Sequence, residues 1–279
     1  MIDILLATHN GEKYINAQIN SILNQTHKEW RLIIHDDGSS DNTVQIIKSY
    51  QARHPDKILF IDDGVLLGGA KKNFAHLMKI SSSPYIMFCD QDDVWLPNKI
   101  QISHDEICAL EDRHPGKAII VHTDLEVVDQ NLNTISNSMF EYQRLPKSIQ
   151  TLDEMLTTNN ITGCTSIINR LALNLSLPIP DEAVMHDWWI GCKTLQAGGI
   201  ISLIPLSLIK YRQHSENAVG SKKITITFLL KKIFTPSKIV KSYKAAWLQA
   251  RAINSQYTIN KAIYLKSKIT LRRAFYNVI

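Results

Sequence analysis

The sequence predicts an α/β fold, a mostly parallel sheet flanked by helices, with a basic helical extension at its C-terminal end. Three observations carry this. Short apolar runs recur through the first half at 2–8, 30–35, 58–61, 85–89 and 118–123, and helix-spaced stretches separate the first four. Strands alternating with helices in this way read as βαβ units with right-handed crossovers. Three of the runs end in polar turns, Thr8-His9-Asn10, Asp36-Asp37-Gly38 and Asp90-Gln91-Asp92-Asp93. In a parallel sheet those ends share one edge, outside which ligands bind. Finally, the charge is divided. No Asp or Glu follows Glu216, and the 13 basic residues beyond it leave 18 of the 31 Lys and Arg in the first 216 residues, against all 26 acids.

Taken in order, Ile2 to Thr8 is a buried strand, because a continuous apolar run suits a strand covered on both faces. A turn at His9-Asn10-Gly11 leads to a helix from Glu12 to Leu23, with Ile15, Ile19, Ile22 and Leu23 at helical spacing. Trp30 to His35 is the second strand. Ser40 or Asp41 can cap a helix from Thr43 to Arg53. Ile58 to Ile61 is the third strand, and a Gly68-Gly69 loop opens a helix from Lys72 to Ile80. Tyr85 to Cys89 is the fourth, running into the acids. Ala118 to Thr123 is another, leading at Asp124 to a loop facing the cleft. From Ile224 onward the pattern is amphipathic and helical. Ile239, Val240, Tyr243, Trp247, Ala250 and Ile253 fall on one side, Lys238, Lys241, Lys244 and Arg251 largely on the other, and Thr235-Pro236-Ser237 starts the longer helix. The boundaries are 1–220 for the α/β domain and 221–279 for the extension.

Several functions are excluded or disfavoured by what is missing. There is no GxGxxG after the first strand and no GxxxxGK[ST], which removes dinucleotide oxidoreductases and P-loop kinases. The four cysteines form no CxxC pair, so reduced thiols, a cytoplasmic setting and no zinc site are expected. No N-terminal signal pattern is present, and the longest apolar stretch, Gly198 to Ile209, is too short to span a bilayer and contains Pro205. Asp90, Asp92 and Asp93 repel one another. A hard divalent cation, Mg²⁺ or Mn²⁺, is their natural partner and commonly shares coordination with substrate phosphates. The plainer alternative is a solvated acidic turn.

Four ordered blocks resemble the inverting family 2 glycosyltransferases of GT-A fold: Ala7-Thr8-His9-Asn10-Gly11-Glu12-Lys13-Tyr14-Ile15, Ser21 to Thr26, Asp36-Asp37-Gly38-Ser39-Ser40-Asp41, and Asp90-Gln91-Asp92-Asp93-Val94-Trp95. His9 stands where an aromatic such as Tyr is common. Asn160 to Asn169, Met185-His186-Asp187-Trp188-Trp189-Ile190 and Ile209 to Gly220 extend the resemblance. The combination of DQDDVW, HDWW and YRQHxxNxxG is similar to bacterial rhamnosyltransferases that build O-antigen or rhamnan polysaccharides.

The resemblance implies attack of a sugar hydroxyl on the anomeric carbon of a nucleotide-sugar, with dTDP-L-rhamnose the favoured donor and a lipid-linked saccharide the acceptor. It makes Asp92 the direct ligand of Mn²⁺ or Mg²⁺ and His214 a further ligand. Asp90 orients the ribose or the metal's waters, and Asp93 is a helix cap or supports the metal ligands from behind. Asp187 is the general base; its alternative is a first-turn helix acid. Thr8, Asn10, Glu12 and Asp37 hold the nucleoside, Asp37 by accepting the N3–H of uracil or thymine. Lys72, with Lys71, and Arg212 are candidates for phosphate, against simple solvation and Arg–Tyr packing, and Asn73 is a donor-cleft or helix-face residue. Trp95, Trp188 and Trp189 either stack on sugars or fill the core. The basic extension suits an anionic membrane on the cytoplasmic face of the plasma membrane. Packing on the α/β domain or on a second subunit, as in a homodimer, is the alternative, and nucleic acid ranks last for want of a recognition motif. Rival functions are the same enzyme with a UDP-hexose donor, a non-catalytic nucleotide-sugar-binding scaffold, and a nucleotidyltransferase.

Overall fold

In the computed structural model, residues 1–214, 223–224 and 236–274 are described. Among these residues nine strands form one sheet: β1 (Ile2–Thr8), β2 (Trp30–Asp36), β3 (Ile58–Ile61), β4 (Tyr85–Cys89), β5 (Val94–Trp95), β6 (Ile119–Val128), β7 (Thr134–Ser136), β8 (Ser166–Asn169) and β9 (Ile200–Arg212). Their order is β3-β2-β1-β4-β8-β6-β9-β5, with β7 beside β6. β1 is parallel to β2 and β4, and β2 to β3. β8 is antiparallel to both β4 and β6, so β6 and β9 again run with β1.

The apolar runs become central strands because both faces are covered. Successive side chains alternate between faces, and the core divides accordingly. Ile4, Leu6, Leu32 and Ile34 pack with Ile15, Ile19 and Ile22 of helix α1 (Ile15–Leu23) and with Ile47 of α2 (Thr43–Arg53). Leu5, Ile33 and Phe88 pack on the other face with Phe74, Leu77 and Met78 of α3 (Ala70–Ile80). At the opposite end of the sheet from the acids, Asp3 is fully buried. It accepts hydrogen bonds from Ser81 Oγ, Ser82 N, Ser83 N and Ser83 Oγ, and pairs with Arg31 at 3.0 Å. Burial alone would raise its pKa, but the serine donors hold the carboxyl below its ordinary value.

Some elements depart from the sequence expectation. α1 begins at Ile15, not Glu12, because Tyr14 N and Ile15 N both donate to Gly11 O in a turn, and the Glu12 carboxylate reaches instead to Asn42 N and Nδ2 at the start of α2. α2 starts at Thr43 as the sequence predicts, whereas α3 opens at Ala70, two residues before Lys72. β6 does not end in a loop at Asp124. It continues to Val128 through irregular pairing with β9, and Asp124 accepts from Ser138 Oγ and Met139 N to anchor α5 (Met139–Gln143). The apolar stretch containing Pro205 is β9.

α4 (Lys99–Arg113), α6 (Leu152–Met155), α7 (Arg170–Ser176) and α8 (His186–Gln196) complete the α/β body. Among the described residues two helices follow, α9 (Pro236–Ile253) and α10 (Ile259–Ala274). Trp247, Ala250, Ile253, Tyr257, Ala262 and Leu265 join the same core as Ile190 and Cys192 of α8. Gln249 Oε1 accepts from Val184 N at 2.8 Å, and Lys266 Nζ donates to Thr157 O. Packing on the α/β body thus takes up much of the described apolar side of the extension, leaving Leu248, Tyr264 and Leu271 exposed. The expected boundary at 220/221, and the side chains of Ile239, Val240 and Tyr243, lie outside what is described. Among the described residues no helix is long and apolar enough to cross a membrane.

Candidate active site at the strand ends

A cavity of about 780 Å³ opens beyond the C-terminal ends of β1, β2 and β4. Thr8, Asp37, Asn73, Asp90, Asp92 and Asp187 all line it, six of the residues singled out from sequence. Each is placed by the chain turning just after a strand or at the start of a helix. On the β2 side, the Asp37 carboxylate accepts from the N–H groups of Leu67 (2.5 Å), Gly68 (3.2 Å) and Gly69 (2.7 Å). Three successive amides converge on one carboxylate because Gly68 and Gly69 take φ of 75° and 141°, which side chains disfavour. Burial opposes the effect, but these amides hold Asp37 below its ordinary pKa. Thr8 Oγ1 donates to Asp36 Oδ2 at 2.8 Å, and buried Asn73 brackets His35.

The acid loop after β4 is fixed from several directions. Gln91 bonds both His9 N and His9 O at 2.9 Å, tying the β1 turn to the β4 turn. His214 Nε2 lies 2.7 Å from Asp92 Oδ2, so the two expected metal ligands meet although they are far apart in the chain. The His214 ring packs on Tyr14, which also lies under the Arg212 guanidinium, at 4.7 Å each. Arg212 itself is buried. Its Nε donates to Asp92 O at 2.8 Å, its Nη1 to Gln130 O at 2.6 Å and its backbone N to Asp93 Oδ1 at 3.1 Å.

Carboxyl groups crowd together here. Burial, then Asp92, then Asp187 raise the pKa of Asp90. Burial, Asp92 and Asp90 push Asp93 well above the carboxylate range, and its Oδ2 has no hydrogen-bond partner among the described residues. The nearest lysine beneath the loop, Lys99, is fully buried over the Trp95 ring at 3.7 Å, and burial brings it down to about 7. Its charge is therefore a weak counterweight. Crowded carboxylates of like charge favour a cation among them, and carboxylate oxygens suit Mn²⁺ or Mg²⁺ with substrate oxygens completing the shell.

Asp187 faces the same cavity from the first turn of α8. Its Oδ2 accepts from Gly163 N at 2.9 Å and its Oδ1 from Trp188 N at 2.6 Å. Burial lifts its pKa to about 6 against those amides, so this first-turn helix acid holds a proton more readily than an ordinary carboxylate. His186 beside it is sandwiched against Phe74 (4.2 Å) and Phe88 (4.8 Å), and burial lowers it to about 3, which keeps it neutral. A Cβ on Gly163 would stand 2.8 Å from His186 Nε2, so the segment passes this close only as glycine.

Five sequence candidates lie off the cavity wall. Asn10 Oδ1 accepts from Ser40 N, and Glu12 holds the start of α2. Lys72 is exposed on α3, whereas Lys71 donates to Asp181 O and Ala183 O, both at 2.8 Å. Arg212 and His214 act on the acid loop from behind. Of the three tryptophans only Trp188 lines the cavity; Trp95 and Trp189 are core. Met139, Gln143 and Leu145 and the 159–162 segment also wall the cavity; Asn160 opens one of the blocks that extend the resemblance, whereas the loop from Met139 could not be placed from sequence. The Asp124 anchor of α5 spans 14 residues and leaves no local signature.

This chain belongs to glycosyl transferase family 2, whose pattern it matches over residues 3–175, and its fold is that of GT-A glycosyltransferases. Among curated relatives it is 28% identical over 235 residues to the dTDP-rhamnosyl transferase RfbG of Shigella flexneri, covering 77% of this chain and 74% of that one. It is 26% identical over 227 residues to the UDP-Glc:alpha-D-GlcNAc-diphosphoundecaprenol beta-1,3-glucosyltransferase WfgD of Escherichia coli, covering 80% and 81%. Among solved structures it resembles S. aureus TarS 1-349 in complex with UDP-GlcNAc, at TM-score 0.60 and 19% identity over 99% of this chain and 72% of that one. It likewise resembles the mannosyltransferase PcManGT from Pyrobaculum calidifontis in complex with GDP-Man and Mn²⁺, at TM-score 0.63 and 12% identity over 99% and 73%. At such identities these two show the fold alone.

Proposed function

We propose that the protein is a metal-dependent inverting glycosyltransferase that moves L-rhamnose from dTDP-L-rhamnose to a growing lipid-linked cell-surface polysaccharide. One observation supports this above others: Asp92, backed by His214, and Asp187 border a single cavity at the strand ends. Asp92 and His214 would hold Mn²⁺ or Mg²⁺, which when bound acts as a Lewis acid toward the departing diphosphate. The rest falls to the chain's own groups. Asp37 and Thr8 border the end of the cavity assigned to the nucleoside, Asp37 retaining acceptor capacity beside its three amides. Asn73 and Asp90 border the donor's path, and Arg212 fixes the backbone of Asp92. Asp187 takes the proton from the acceptor hydroxyl, and attack opposite the leaving group inverts the anomeric centre. His186, Phe74 and Trp188 keep water from that proton transfer.

The rhamnosyl donor rests on the relative named for dTDP-rhamnose, and the lipid-linked acceptor on the one named for a diphosphoundecaprenol acceptor. That second relative also favours a rival donor, a UDP-hexose. The discriminating experiment is a donor panel with mass detection of the released nucleotide, with and without added Mn²⁺. Release of dTDP from dTDP-L-rhamnose supports the leading reading. Release of UDP from UDP-hexoses alone transfers the reading to the rival, and no release from any donor leaves a binding scaffold. The proposed setting is the inner face of the plasma membrane, with residues 1–220 as catalytic domain and 221–279 as the membrane-facing extension.

A further inference from the structure

Away from the cavity lining, His35 at the end of β2, Asp63 just past β3 and His76 on α3 place one ligand atom each within 4.8 Å of one another. The proton on His35 can be deduced. Asn73 Nδ2 donates to the His35 carbonyl at 3.2 Å, and a carbonyl only accepts. The other edge of that amide is therefore Oδ1, an acceptor, 2.9 Å from His35 Nδ1, so Nδ1 carries the hydrogen. In a neutral imidazole Nε2 is then a lone pair. It faces Asp63 Oδ1 at 3.2 Å, while His76 Nε2 lies 2.8 Å from Asp63 Oδ2. Two acceptors this close need positive charge on or beside them.

We propose that His35, Asp63 and His76 form a binding site for a borderline divalent cation, Zn²⁺ being the best match, with solvent as the fourth ligand. Two imidazoles and a carboxylate are a zinc donor set. With ligands at about 2.0–2.1 Å, neighbouring ligand atoms of a tetrahedral ion stand ~3.3 Å apart, close to the His35–Asp63 separation. Asn73 supplies the outer hydrogen bond that orients a ligating histidine. The His35 side chain is 1% exposed, but His76 and Asp63 keep 24% and 32%, so an ion has an entry path. The cysteines play no part, which is why a cysteine-based reading of the sequence excludes zinc and misses this cluster. Bound there, the ion joins the ends of β2 and β3 to α3. It fastens the segment in which Asp63 also accepts from Val65 N and which carries Gly68 and Gly69 to the cavity rim.

The test titrates Zn²⁺ alone into the chelator-stripped full chain, in competition with a chromophoric chelator. Asp92→Asn, in which the acid loop is weakened as a second site, should still take up one tight equivalent, and the parent at least one. His76→Ala should weaken that binding by more than about 100-fold, beyond what losing an outer hydrogen bond costs. Zn²⁺ should raise the Tm of the first two proteins and not of His76→Ala, whose Tm in chelator should match the parent's. His76→Gln replaces the alanine variant if that one does not fold. Absence of tight binding in Asp92→Asn, or unchanged affinity in the His76 variants, overturns the proposal.

Discussion

Asp187 concentrates the residue-scale argument. Two amides orient its oxygens, and burial lifts its pKa to about 6. The proposed base works only when deprotonated. So kcat/KM should rise as pH climbs through about 6 and level off above it, and initial rates from pH 5 to 8 will check this. A profile flat down to pH 5 contradicts the assignment. Asp187→Asn should lower kcat by about 10²–10⁴, the usual contribution of a positioned base, with donor binding by calorimetry unchanged. Gly163→Ala probes the same geometry, because the added Cβ must displace His186. We expect a clear loss of kcat in single-turnover assays with the Tm shifted only by a few degrees.

At the scale of elements, the site depends on strands held in register at both ends of the sheet. Asp3→Asn replaces a carboxylate that accepts from three serines and Arg31 with a group that cannot satisfy them all. It should cost about 1–3 kcal/mol at pH 7. The sign with pH follows from the lowered pKa of Asp3. The parent's advantage is full above the unfolded carboxylate value of about 3.9 and is lost as pH falls below it. Denaturant unfolding at pH 7 and pH 3 should therefore show a gap between the proteins that narrows. Equal stability at pH 7 contradicts it. The same scale explains what was legible beforehand. The parallel strands and their polar ends declared themselves as apolar runs followed by Asn and Asp, so β1, β2, β3 and β4 and the acid loop were readable from residues alone. α1 started late because Glu12 found a partner on α2, and β6 ran past Asp124 because β9 lay beside it. Both outcomes depend on neighbours distant in sequence. The α5 wall of the cavity was hidden for the same reason, being hung from Asp124 across 14 residues.

For the whole molecule, the open matter is what the basic extension meets. Its described apolar side is largely buried on the catalytic fold, through Ala250, Tyr257 and Ala262. What α10 presents outward is Tyr264 and Leu271, 66% and 43% exposed, with Lys268 between them in sequence. Aromatic, aliphatic and basic groups together suit the headgroup region of an anionic membrane. The full chain should float with phosphatidylglycerol-containing vesicles and not with neutral ones. Tyr264→Ser with Leu271→Ser should weaken that binding about tenfold or more, from apolar burial lost at two side chains. Unchanged flotation of the double variant would move the contact elsewhere.

The central claim is that the acid loop and His214 hold a cation on which sugar transfer depends, and the most direct measurement is transfer rate against added Mn²⁺ for the chelator-stripped parent and Asp92→Asn. The account predicts a parent with no turnover until Mn²⁺ is restored, and an Asp92→Asn variant slower by about 10²–10³ at saturating metal, as when a group stabilising developing charge is removed. Full activity of the stripped parent, or an Asp92→Asn variant as fast as the parent, would contradict it.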